Sequence, residues 1–177
     1  MSRKLIRTVP FAVTAAAAIG AGTFLLAGPA AASSAPQAAA AKYTCNGVKA
    51  TIVGTNGDDE IRGTNGRDVI VARGGEDEID GRGGNDLICG GAGEDEIEGG
   101  AGADTVFGGS GEDDIEGESG NDKLYGGSGS DDISGGRGND RIWGNSGNDD
   151  LEGNSGKDKL YGGPGRDDVH QGNDDDD

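Results

Sequence analysis

Gly90 to Phe107 reads GGAGEDEIE then GGAGADTVF, two nine-residue units with Gly fourth, Asp sixth and a β-branched aliphatic residue eighth. The same frame extends in both directions, from Gly54 to His170, as thirteen consecutive units without insertion or deletion. The fourth position is Gly57, Gly66, Gly75, Gly84, Gly93, Gly102, Gly111, Gly120, Gly129, Gly138, Gly147, Gly156 and Gly165. The sixth is always Asp, and the eighth is always Ile, Leu or Val, from Ile61 to Val169. Composition alone, with 38 Gly and 4% aromatic residues, reads as a low-complexity or disordered chain. A merely solvated tract has no reason to keep an aliphatic residue in phase with a carboxylate, so the fixed period points to a folded repeat array.

Each unit reads as a six-residue turn followed by a three-residue strand. Glycine at the first and fourth positions is expected to supply positive φ and to let successive turns stack closely. The strand points its eighth residue one way and its seventh and ninth the other. Nine residues make one side of a coil, and the ninth position shows that the full circuit is eighteen. In odd-numbered units it is Arg62, Asp80, Glu98, Glu116, Ser134, Glu152 and His170; in even-numbered units it is Val71, Cys89, Phe107, Tyr125, Trp143 and Tyr161. All six apolar residues share one parity, which chance produces roughly once in a thousand arrangements. Odd and even units therefore build two parallel sheets that face each other across a thin core of Ile, Leu and Val. The expected fold is all-β: a parallel β-roll, a right-handed solenoid with two nonapeptides per coil.

The pattern resembles the repeats-in-toxin (RTX) nonapeptide, G-G-x-G-x-D-x-U-x, a calcium-binding repeat. The resemblance covers everything but a leader, a short cap and a short tail. Its departures are Ala72 for the first Gly of the third unit and a second position that varies through Thr55, Arg73, Glu118 and Asn145. Larger members of the family carry a protease, lipase or toxin domain beside the repeats, and none is expected in the residues left after the leader.

Stacking of same-parity turns aligns Asp59, Asp77, Asp95, Asp113, Asp131, Asp149 and Asp167 in one column, and Asp68, Asp86, Asp104, Asp122, Asp140 and Asp158 in the other. Carboxylates stacked ~4.8 Å apart need a counter-charge. Calcium takes six to eight oxygens and suits Asp carboxylates with turn carbonyls, whereas zinc favours His and Cys, of which the chain has one and two. The gaps within the two columns offer about eleven sites. Metal binding of this kind couples to folding, so the calcium-free chain is expected to be expanded.

Outward from the array, residues 1–41 open with Arg3, Lys4 and Arg7, continue through the apolar run Val9 to Ala27 and end in small residues, the layout of a secretory signal peptide with an Ala-rich linker. The protein is expected to be secreted and extracellular. Without those three cations, twelve basic residues face thirty-three acidic ones. Such a chain has no basic patch for nucleic acid. Residues 42–53 read as an N-terminal cap, a degenerate unit with Ile52 in the aliphatic position and Ala50 in place of Asp. Cys45 and Cys89 are the only cysteines in an exported chain and are expected to form a disulfide tying the cap to the fourth unit. The tail, residues 171–177, ends in four Asp and reads as a charged end that discourages strand addition.

The two outer faces differ. The odd face is acidic. The even face sets Phe107, Tyr125, Trp143 and Tyr161 beside Lys123, Arg141 and Lys159, a strip that either strengthens the sheet by stacking or binds a cell-surface glycan, wall polymer or protein; self-association through the opposite acidic face is a further option. Catalysis is not expected: His170 is the sole His, and no Ser or Cys stands in a nucleophile-elbow context. The function expected is that of a calcium-binding repeat protein that folds on binding the ion, with a calcium-stabilised adhesion or interaction module as the alternative.

Overall fold

The computed structural model describes residues 12–14 and 43–172. The remainder of the expected leader and linker, and the tail from residue 173, lie outside the described residues. The array forms two parallel sheets. One contains Glu60–Arg62, Glu78–Asp80, Glu96–Glu98, Asp114–Glu116, Asp132–Ser134, Asp150–Glu152 and Asp168–His170, with Ala12–Thr14 laid parallel on its first strand. The other contains Ile52–Val53, Val69–Gly74, Leu87–Ala92, Thr105–Ser110, Lys123–Ser128, Arg141–Ser146 and Lys159–Tyr161. Every pairing within the array shifts the sequence by eighteen, as in Ile115↔Ile133 and Leu124↔Ile142. The β-roll and its eighteen-residue coil are thus as the parity of the ninth position implies.

The eighth-position residues meet between the sheets. Ile61, Ile70, Ile79, Ile88, Ile97, Val106, Ile115, Leu124, Ile133, Ile142 and Leu151 form one continuous cluster, each at most 1% exposed. With one aliphatic side chain per unit the core is thin, one file from each sheet. Each buried side chain contributes roughly 1.5–3 kcal/mol. At the far end the core opens: Leu160 is half-buried and Val169 is 42% exposed.

Two details depart from the sequence reading. First, the five inner even strands, from Val69–Gly74 to Arg141–Ser146, are six residues long, continuing through the first three positions of the next unit, whereas the odd strands stop after three and leave only isolated bridges such as Gly83↔Ala101. Second, positive φ falls at the second and fourth positions, not the first. Arg73, Arg82, Glu118, Asn145 and Asn154 adopt it at the second position without being glycine, a cost the repeated interstrand pairing holds in place. The first-position glycine is needed for space: a Cβ on Gly117 would stand 2.6 Å from the carbonyl oxygen of Gly135 and 2.9 Å from Oδ2 of Asp122.

The N-terminal segment has more structure than a degenerate repeat. Thr44–Cys45 and Val48–Lys49 pair antiparallel around Asn46 and Gly47, both with positive φ, the geometry that Asn-Gly favours in tight hairpins. Ile52–Val53 then continues as the first strand of the even sheet, on Ile70 and Val71. The hairpin lies over that sheet's outer face. Cys45 and Ala50 form a second apolar cluster with Val69, Val71 and Leu87, against which Tyr43, Val53, Cys89 and Phe107 pack. Arg73 sets its guanidinium 4.6 Å from the centre of the Tyr43 ring. The apolar character of Val69, Val71 and Leu87 is therefore explained by the chain's own hairpin.

Candidate functional site

Each column of sixth-position Asp is linked by hydrogen bonds. The backbone N–H of Asp59 donates to Oδ1 of Asp77 at 2.9 Å, that of Asp68 to Oδ1 of Asp86 at 2.7 Å, and the relation repeats to Asp149 and Asp167 at 3.3 Å. The same residue's carbonyl is used in the opposite sense: Lys123 N–H donates to the carbonyl of Asp104 at 2.9 Å, while Asp104 N–H donates to Oδ1 of Asp122 at 2.8 Å. All thirteen sequence-predicted residues stand in the two expected columns.

Only one oxygen of each carboxylate is satisfied in this way. Oδ2 is buried and has no hydrogen-bond partner in Asp77, Asp86, Asp95, Asp104, Asp113, Asp122, Asp131, Asp140, Asp149 and Asp158. A buried acceptor left alone costs about 1–3 kcal/mol, and more when charged. In Asp122, Oδ2 turns back towards Gly117 of its own unit, where the carbonyl oxygen of Gly135 on the next coil also lies. Two acceptors line the same small cradle with no donor between them, a donor set for a hard cation. Among the described residues no three acidic, His or Cys side chains converge. A cation in these turns would therefore need backbone carbonyls as well as Asp.

Electrostatics point the same way. Burial pushes Asp113 and Asp122 from 3.8 up to about 7, and Asp77, Asp86, Asp131 and Asp140 up to about 6. The backbone hydrogen bond that each accepts pulls down, and neighbouring carboxylates add to the rise. Asp95, Asp104 and Asp149 also shift upward, with burial as the main cause. A row of carboxylates that resist ionisation near neutrality is what a buried column without counter-charge produces.

The first two turns differ from the rest. Thr55 N–H donates to Oδ2 of Asp59 at 2.6 Å, and Thr64 donates to Oδ2 of Asp68 through its N–H at 2.7 Å and its hydroxyl at 2.8 Å. In later units the second residue has positive φ, and Oδ2 of the sixth-position Asp accepts no such bond from Asp77 to Asp158. The sequence reading treated all thirteen turns alike; the Thr-Asn that opens these two units was the signal available. Outside the odd turns, Asp58, Glu76, Glu94 and Glu112 line a groove of about 560 Å³.

On the even face the four aromatic rings stack in file. Centroid separations are 4.8 Å for Phe107–Tyr125, 4.5 Å for Tyr125–Trp143 and 5.7 Å for Trp143–Tyr161, with planes within 13°. Upstream the file is interrupted, because Cys89 is bonded to Cys45 across a Cα–Cα distance of 5.8 Å. His170 lies at the end of the odd sheet, paired with Asp168 at 3.1 Å.

A parallel β-roll with buried carboxylates in its turns defines a repeat protein of the cation-binding solenoid class. A model of four copies of the RTX calcium-binding nonapeptide repeat matches residues 53–88, 90–124, 107–142, 125–160 and 143–177, and the chain belongs to that family. No curated protein matches it.

Proposed function

We propose that this is an exported protein whose repeats bind calcium in the turns and close into the roll as they do so. The observation that carries this reading is the set of ten buried Oδ2 atoms without a donor. The chain's side is to hold Asp carboxylates and glycine-flanked carbonyls in line, and to exclude water by stacking the coils. Calcium, when bound, supplies positive charge to a column that otherwise repels itself. Residues Asp77 to Asp158 are the ligands we assign. Asp59 and Asp68 have their second oxygen satisfied internally, and Asp167 sits in the last, partly exposed turn.

The domain organisation proposed is a leader and linker over 1–41, a cap over 42–53, the array over 54–170 and an acidic tail beyond. The activity proposed is binding, without catalysis. The test is calcium titration of the protein from residue 42 onward, following far-UV circular dichroism and bound metal together, with magnesium as control. A cooperative gain of β signal with calcium alone supports the reading; a chain fully folded in chelator sinks it.

The alternative, a calcium-stabilised interaction module, draws on the even face. The stacked rings spend their faces on one another, so a sugar ring finds an open face only on Tyr161, which is 51% exposed. This weighs against a glycan-stacking platform and leaves the ring edges and flanking cations as the available chemistry.

A further inference from the structure

Lys123, Arg141 and Lys159 pair in register on adjacent strands of the even sheet, and all three are exposed. Among the described residues none of them is in an ion pair. Two positions further along the same strands run Tyr125, Trp143 and Tyr161, stacked with nearly parallel planes. Rings stacked in this way turn their edges outward. The edge is the positive part of the aromatic quadrupole, and Tyr hydroxyls and the Trp indole N–H are donors. The strip is therefore two adjacent columns of positive character, bounded at its upstream end by the hairpin cluster that reaches Phe107.

The other side of the roll has the opposite character. Asp114, Asp132 and Asp150 pair in register on the odd sheet and are exposed, with Glu116 and Glu152 two positions on. The same coil generates both faces, so both columns advance by one strand spacing, ~4.8 Å. A cation column and a carboxylate column with a common repeat meet charge for charge, and no mismatch accumulates along their length.

We propose that the Lys123–Arg141–Lys159 strip of one molecule docks on the Asp114–Asp132–Asp150 face of a second copy. The contact is heterologous, leaving one free face of each kind at the ends, so molecules add in open rows. A strip three strands long covers far less than the ~800 Å² per partner of a stable complex. Association is accordingly weak, and salt weakens it further. The net negative charge of the chain opposes contact until cations fill the turns. The inference rests on the roll forming in calcium, and circular dichroism on the same samples separates failure to fold from failure to associate.

The experiment is sedimentation velocity in calcium from micromolar to near-millimolar protein, on the chain from residue 42 onward. The wild type is expected to pass from monomer to beyond dimer mass. A triple variant Lys123→Glu, Arg141→Glu, Lys159→Glu and a second variant Asp114→Lys, Asp132→Lys, Asp150→Lys should each stay monomeric, while their mixture regains the mass shift, because each then offers what the other lacks. A folded wild type that remains monomeric throughout overturns the proposal, as does association that survives in either single variant. Binding of polygalacturonate by a monomeric wild type, lost in the first variant, would assign the strip to an anionic polymer and overturn it as well.

Discussion

The backbone N–H of Asp104 donates to Oδ1 of Asp122 at 2.8 Å, while Oδ2 of Asp122 is buried beside the Gly135 carbonyl and has no donor. One carboxylate thus does two jobs. Its first oxygen links adjacent coils, and its second, without a donor, is the one we propose meets the cation. The two can be separated by substitution. Asp122→Asn keeps an acceptor for the N–H but removes the charge, and should cost about 2 kcal/mol of calcium-dependent stability. Asp59→Asn, where Thr55 already satisfies Oδ2, should shift the calcium midpoint much less. Calcium titrations of the two variants followed by circular dichroism compare them directly; equal shifts would mean that the Thr turns bind metal like the others.

Without metal, stability should fall as pH rises. Asp113 and Asp122 have folded-state values near 7, and Asp77, Asp86, Asp131 and Asp140 near 6, against 3.8 for the free side chain. Between these limits the folded state holds more protons than the unfolded one. Its stabilisation is therefore fully present below about pH 4 and lost as pH climbs through 6 to 7. In chelator, the β signal should be greater at pH 5 than at pH 8. In calcium the order reverses for affinity, since protons compete for the same oxygens, and the midpoint calcium concentration should fall from pH 5.5 to pH 8.

The Cys45–Cys89 bond closes a loop with a sequence separation of 44, for which the chain-entropy model gives about 4 kcal/mol. Replacing both residues by Ser should raise the calcium needed for folding and loosen the hairpin from Val69, Val71 and Leu87. An increase in dye binding to exposed apolar surface, at calcium levels that still fold the array, is the readout. Unchanged dye binding would show that Tyr43 and Ala50 hold the hairpin unaided.

Gly102 has φ of 139°, and a Cβ there would collide with the Gly84 carbonyl on the preceding coil. Gly57, the same position in the first unit, faces open space. Gly102→Ala should destabilise by more than about 4 kcal/mol, the range of exceptional effects, whereas Gly57→Ala should stay within about 0.5 kcal/mol. Urea unfolding in saturating calcium measures both. A small effect at Gly102 would mean that the coils can separate at that turn without loss.

Metal-free protein should keep a folded stub. The hairpin and the two Thr-satisfied turns over residues 43 to 71 bring no orphaned carboxylate oxygen. Hydrogen exchange in chelator is expected to protect Gly54 N–H, bonded to the Val71 carbonyl at 2.9 Å, more than Gly138 N–H, bonded to the Ser155 carbonyl at 2.8 Å. Equal exchange at both sites would rule out such a stub.

The sequence by itself determined the coil. A nine-residue period locks Gly57 to Gly165 and Asp59 to Asp167 in phase, and the parity of Phe107, Tyr125, Trp143 and Tyr161 sets eighteen residues per turn of the solenoid, because strand alternation translates position directly into side. What only the tertiary structure decided are contacts made across eighteen residues or more. The repeat pattern names Gly117 and Asp122 but not the Gly135 carbonyl between coils that leaves no room for a Cβ at Gly117. It presents Val71 and Cys89 as part of an outer ladder, whereas the hairpin 44–49 covers them, since a cap's landing place depends on surface that exists only after the coils stack. It likewise gives Asp59 and Asp122 the same role, and their environments part only when backbone φ at the second position turns an N–H towards one carboxylate and away from the other.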